Sequence, residues 1–168
     1  MISGRIRKIV LAALFAALSC MMTMIIQIPA PTGYVNLGDC AVLLGAWVLG
    51  PVWGGAAAGL GCMLADVLNG WAAYAPATLV IKFLMAVCAA LLARVVKGKA
   101  GMALGAVIAG LVMTGGYLLY ESLVLAYGTA ALASIPANLV QGAVGAAAGV
   151  AAAWLLEQGG VLSRLRNR

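Results

Sequence analysis

The ionisable and amide side chains embedded in apolar sequence are the chemical resources of this chain. Lys82, Asp66 and Glu121 stand inside long hydrophobic runs, Asp39 begins one, and Asn138 and Gln141 lie three positions apart, on one face of a helix. Tyr117 and Tyr120 precede Glu121 by four residues and by one. Asn36, Asn69, Trp71 and Tyr74 occupy the short stretches between runs. Ionisable groups are costly in hydrocarbon and mark functional sites by default. Ammonium, carboxylate, amide and phenol groups beside indole rings suit reversible capture of a small polar aromatic solute, with hydrogen bonds at its edge and stacking on its faces. The competing reading is structural: Lys82 pairs with Glu121 or Asp66, the amides hold helices together, and Tyr and Trp form an interfacial belt.

Nothing in the chain reads as catalysis. Histidine is absent, which removes the usual general base and the commonest metal ligand. There is no G-x-S-x-G, no H-E-x-x-H, no paired aspartates and no G-x-x-x-x-G-K-[ST] loop, so ATP is not handled by that route. The twofold repeat usual in secondary transporters is also missing. Such a chain can capture a solute but needs a partner to move it.

The elements that must position these groups are membrane helices. Of 168 residues, 65% are hydrophobic and 8% are charged, with mean hydropathy +1.12. A soluble domain carries roughly 25% charge. The net charge of +6 is scattered through apolar sequence and makes no nucleic-acid-binding patch. The expected architecture is an all-α integral membrane protein, a six-helix transmembrane bundle forming a single membrane domain over residues 1–168. Its helices are expected at about 8–28, 37–50, 52–69, 76–96, 102–126 and 135–157. The Gly50-Pro51 pair separates the second from the third. The second is short for a span, so it tilts little, starts in the interface or is partly re-entrant. The first follows Arg5, Arg7 and Lys8 and is longer than the 7–15-residue core of an export signal, with no clear cleavage site, so it reads as a retained helix.

Cations set the expected orientation. Arg5, Arg7 and Lys8 precede the first helix, Arg94, Lys97 and Lys99 lie around the fourth connection, and Arg164, Arg166 and Arg168 follow the sixth helix. Both termini are therefore expected in the cytoplasm, with loops 29–36, 70–75 and 127–134 outside. The basic tail also suits attraction to anionic headgroups. Every intramembrane polar residue then falls in the outer half, Asp39 at the rim. That favours a pocket open to the outside over a continuous pore.

Cys20, Cys40, Cys62 and Cys88 match no metal spacing and read as helix packing. Trp47, Trp53, Trp154 and Tyr127 read as interfacial belt residues. Ala12, Ala13, Ala16 and Ala17 make two overlapping A-x-x-x-A pairs, and Gly55-Gly59, Gly101-Gly105 and Gly145-Gly149 repeat that spacing. The glycines read as close helix packing; the alanines suit either packing or a face that docks a partner.

These residues resemble a family. The carriers are the first-helix alanine pairs, Gly33-Tyr34-Val35-Asn36-Leu37-Gly38-Asp39, Leu49-Gly50-Pro51-Val52-Trp53-Gly54-Gly55 and Leu64-Ala65-Asp66. They continue in Ala75-Pro76-Ala77-Thr78 leading to Lys82, in Tyr120-Glu121, and in Ile135-Pro136-Ala137-Asn138-Leu139-Val140-Gln141-Gly142. Over about residues 5–157 the chain resembles the substrate-binding S components of energy-coupling factor (ECF) vitamin transporters. It is most similar to the riboflavin-type branch, which also holds proposed pyridoxine and hydroxymethylpyrimidine binders.

The resemblance implies a multi-pass protein of the bacterial cytoplasmic membrane, with no cofactor bound by this chain. It implies that Ala12, Ala13, Ala16 and Ala17 dock a transmembrane T subunit driven by two cytoplasmic ATPases, which use the ATP. The loaded S component would topple in the membrane to deliver its ligand. A small vitamin B6-like or hydroxymethylpyrimidine ligand is expected at Asn36, Asp39, Asp66, Trp71, Tyr74, Lys82, Tyr117, Glu121, Asn138 and Gln141. Riboflavin is the alternative, and a small channel or structural membrane subunit is the alternative from another class.

Overall fold

A computed structural model describes residues 4–166, Arg166 in backbone only. Arg168, part of the basic tail, lies outside them. The helices are Gly4–Ile25 (α1), Gly38–Leu49 (α2), Pro51–Leu68 (α3), Ala75–Val95 (α4), Lys99–Leu119 (α5), Ile135–Gln158 (α6) and Val161–Arg166 (α7). α5 runs on into a π-helical turn, Tyr120–Val124, and α6 is entered from a 3-10 segment, Gly128–Ser134. Five of these helical stretches are long and apolar enough to cross a membrane, and α2 is a shorter apolar helix. The protein is thus a multi-pass helical bundle, and the described structure adds α7 to the expected helices.

The expectation of helix alone needs one correction. The first helix stops at Ile25 rather than residue 28, and Ile28–Ala30 (β1) pairs antiparallel with Gly33–Val35 (β2), Pro29 opposite Tyr34. Pro29 and Pro31 cannot continue a helix, and β-branched Val35 and Ile28 suit the extended pairing that remains.

Local chemistry sets the other boundaries. Pro51, Pro76 and Pro136 stand in the first turns of α3, α4 and α6, where a missing N–H is harmless. Gly50 adopts φ +82°, a left-handed backbone that breaks the chain between α2 and α3.

α2 lies at the centre, touching α1, α3, α4 and α6. From Gly38 to Val48 every residue is buried, so its shortness reflects a core position rather than a tilted span. Trp47 is only 4% exposed and belongs to this core, which corrects the belt reading. Trp154 is exposed, with the Lys99 ammonium 3.9 Å from its ring centroid. The cysteines are free thiols, with Cys20, Cys40 and Cys62 buried.

Small residues set the helix separations. A Cβ on Gly59 would stand 2.5 Å from the Leu79 carbonyl oxygen of α4, and one on Gly105 would stand 2.9 Å from that of Ala89. On α6, Gly145 and Gly149 face Asp39 and Leu43 of α2. A Cβ on Gly61 of α3 would stand 2.3 Å from the Ala16 carbonyl oxygen of α1. The alanine stripe is divided accordingly: Ala12 and Ala16 are half-buried, while Ala13 and Ala17 are exposed with Val10, Leu14 and Met21.

This packing makes a direct prediction. Gly61→Ala forces α1 off α3 and should lower the thermal midpoint in detergent, by the equivalent of about 1–3 kcal/mol. Gly115→Ala, whose added methyl meets nothing within 4 Å, should leave the midpoint unchanged or slightly raised.

Candidate ligand-binding site

At one end of the bundle the hairpin, the α3–α4 connection, the end of α5 and the start of α6 surround a cleft. Its walls include Tyr34 and Asn36, Asp66 of α3, Trp71 and Tyr74 of the connection, and Thr78 of α4. Tyr117, Glu121, Ser134, Asn138 and Gln141 complete the polar lining. All the expected site residues except Asp39 and Lys82 therefore meet in one place.

Those two lie beneath the cleft and pair with each other. Asp39 is 1% exposed and Lys82 2%, and the Lys82 ammonium donates to Asp39 Oδ1. The expectations of Asp39 at the rim, and of Lys82 paired with Glu121 or Asp66, are corrected by this geometry. The cause is α2, which begins already inside the bundle. Gly38 sits against Thr23 of α1, and Gly145 leaves room for Asp39 on α6. The other Asp39 oxygen accepts from Gln141 Nε2 at 2.9 Å. Gln141 Oε1 accepts from the Asn36 amide at 3.0 Å, and Asn36 Oδ1 accepts from Gly38 N at 2.9 Å. One polar chain thus joins α4, α2, α6 and the end of the hairpin, with Met113 Sδ 3.0 Å from the Lys82 ammonium.

Above this chain stands an aromatic wall. Tyr74 packs on Trp71, Tyr117 and Tyr120, with ring centroids 5.8–6.4 Å apart, and Trp71 also meets Tyr34 at 5.9 Å. Tyr34 donates to Asp66 Oδ1 at 2.7 Å, tying the hairpin to α3. Tyr74 donates to Glu121 Oε1 at 3.2 Å, and the Thr78 and Tyr117 hydroxyls are 2.9 Å apart. Burial, reinforced by the neighbouring carboxylates, pushes the Tyr34 and Tyr74 phenols above their ordinary value, so both remain O–H donors at neutral pH.

Glu121 is held by an irregular backbone. It lies in the π-helical turn, where the amide of Leu125 reaches back to the Tyr120 carbonyl at 3.1 Å. Such turns insert a residue and recur at functional positions. The carboxylate is buried, and its Oε2 has no hydrogen-bond partner among the described residues. Asn138 lines the cleft without a partner there either. The chemistry on offer is a lone carboxylate acceptor and an amide set in an aromatic slot.

Sequence reasoning omitted Tyr34, Thr78 and Ser134 from the site. Tyr34 and Thr78 both stood in quoted segments, and their flanking Gly33 and Pro76 marked those segments as turn and helix start. Ser134 carried no signal of its own.

The buried pair has a measurable consequence. Lys82→Met strands the Asp39 carboxylate and should cost about 3–5 kcal/mol of stability in detergent melts. Adding Asp39→Leu should recover much of that loss, so the double-mutant cycle is strongly non-additive. Additive effects would show that the two side chains act independently.

Comparison with known proteins follows the same outline. Residues 3–158 match the family described as ECF-type riboflavin transporter, S component. A solved S component of a bacterial ECF transporter superimposes with a TM-score of 0.71, covering 92% of this chain and 98% of that one at 22% identity, a likeness of fold. An archaeal relative from Pyrococcus woesei, described as an uncharacterized protein in gap 3'region, is 48% identical over 62 residues. That match takes in 36% of this chain and spans only 41% of the relative's length. With nearly the whole chain matched, it belongs to the ECF-type riboflavin transporter S component family.

Proposed function

We propose that this S component captures a small heteroaromatic vitamin or vitamin precursor, of the vitamin B6 or hydroxymethylpyrimidine kind, in the cleft roofed by the hairpin. The observation that carries the reading is the unpartnered Glu121 Oε2, buried beside Tyr74 and Tyr117. A buried acceptor left without a donor costs about 1–3 kcal/mol, more for a charged group, and a ligand N–H or O–H supplies the missing donor. Asn138 and Gln141 flank it for the ring's edge, and Trp71 and Tyr74 offer faces for stacking. Asn36, Asp39 and Lys82 act from below as the support that keeps Gln141 in place.

Size favours the one-ring ligand. The cavity measures about 60 Å³, whereas an engineered cavity of about 150 Å³ takes benzene. A single ring thus needs some outward movement of a wall, and a tricyclic ring needs far more. Riboflavin is the second reading, favoured by the family's own description.

In this reading the protein resides in a bacterial cytoplasmic membrane and works with a T subunit and two ATPases, which use the ATP. It delivers its ligand by toppling. The exposed face of α1, with Ala13 and Ala17 in it, is the surface offered to the T subunit. An exterior this apolar lowers the cost of rotation, since few ions are carried through hydrocarbon.

A melting assay on the detergent-purified protein tests the ligand. Pyridoxine or hydroxymethylpyrimidine should raise the midpoint with concentration as RT ln(1 + [L]/Kd), and Glu121→Gln should weaken that response about tenfold or more. A rise with riboflavin alone would replace the small-ring reading, and no response to any of the three would sink both. Ala13→Trp with Ala17→Trp should leave the melting response intact yet abolish uptake in cells carrying the complete transporter. Loss of ligand binding instead would return those alanines to packing.

A further inference from the structure

The end of the bundle opposite the cleft holds a crevice of about 770 Å³ that vitamin capture does not use. Arg5, Arg7 and Lys8 enter it from α1 and Arg94 from α4, while Trp47 and Gly50 form its inner wall. No carboxylate lines it. Glu157 lines the adjoining groove, which shares Trp47 and Arg94 and adds Lys97. Among the described residues the one ion pair is Lys82 with Asp39, so these cations have no acidic partner. Among the described residues, Arg7 makes long contacts, 3.4 and 3.5 Å, to the carbonyls of Arg164 and Leu165.

Two details distinguish the crevice from a solvated fringe of basic residues. Arg94 lies directly against Gly50, where any Cβ would stand 2.5 Å from its guanidinium Nη2. The guanidinium of Arg94 thus lies close along the α2–α3 break while the residue stays exposed at the mouth of the crevice. Trp47 lines the crevice, is 4% exposed, and its indole Nε1–H is buried with no partner among the described residues. An orphan donor in the wall of a crevice that also holds a guanidinium calls for an acceptor with several oxygens, and guanidinium groups match phosphate oxygens bidentately.

We infer that this crevice binds a phosphate ester, namely the headgroup of an anionic phospholipid in the leaflet at that end of the bundle. The membrane-length helices around it place it at headgroup depth, and Leu11, Leu49 and Ala90 give its remaining wall an apolar character suited to the start of an acyl chain. Arg94 and the Trp47 N–H grip the phosphate, and Arg7 with Lys8 closes the outer side. The lipid would bridge α1, α2 and α4 from outside, as the Lys82–Asp39 pair ties α2 to α4 from within.

Melting of the detergent-purified full chain with added lipid provides the test. Phosphatidylglycerol should raise the midpoint and phosphatidylcholine should not. Arg94→Gln should weaken the phosphatidylglycerol response about tenfold. Trp47→Phe, which removes the donor, should weaken the phosphatidylglycerol response several-fold when each variant's shift is measured from its own lipid-free midpoint, itself lowered by the smaller core side chain. Equal responses to the two lipids, or a full response in both variants, would overturn the site. Inorganic phosphate or glycerol phosphate reproducing the rise at millimolar concentration would overturn the lipid as its occupant and leave a soluble phosphate compound in its place. The response to the vitamin panel is read on the same samples, so failure at this end is separable from failure at the cleft.

Discussion

The buried ion pair between Lys82 and Asp39 is the constraint on which the rest of the site depends. Two charges removed from water must find each other and have their remaining positions filled, or the bundle does not close. Gln141 fills one of those positions on Asp39, and the same amide then accepts from Asn36. Four separate parts of the chain are thereby brought to one point, and the floor of the cleft is defined before any ligand arrives. Hydrophobic burial cannot do this in lipid, because tails and side chains are equally apolar; specificity has to come from polar pairs and from close helix contact.

Close contact is the second half of the design. α2 is too short to span and too buried to face lipid, so the other helices pack around it at distances that only glycine permits. Gly145 admits Asp39, Gly149 admits Leu43, and Gly61 admits the α1 backbone. The same α2 carries Asp39 near its first turn and Trp47 near its last. It therefore connects the cleft at one end with the basic crevice at the other.

Above the floor, the cleft balances satisfied and unsatisfied groups. Tyr34, Asp66, Thr78 and Tyr117 are paired within the protein. Glu121 has one oxygen occupied by Tyr74 and one left over, on a π-helical turn that an ordinary helix would not supply. Under the proposed function, an aromatic slot with one open acceptor would favour a ligand that carries a donor on a flat ring.

The membrane bundle, the boundaries at Gly50-Pro51, Pro76 and Pro136, and the gathering of polar residues toward one end are all legible in the sequence. These are local properties: hydropathy over some twenty residues, proline and glycine backbone preferences, and the cost of charge in hydrocarbon. It also placed most of the cleft's lining, because residues at corresponding depths on neighbouring helices have few other places to meet. The pairing of side chains was not legible in the sequence. Lys82 and Asp39 are 43 positions apart, and Asn36 and Gln141 are 105 apart, so their meeting depends on which helix faces pack together. The depth at which α2 begins chose Asp39 over Glu121 and Asp66. The rotation of α1 turned Ala16 inward and Ala13 outward, a choice that spacing four residues apart leaves open. Periodicity names a face; packing alone says what that face meets.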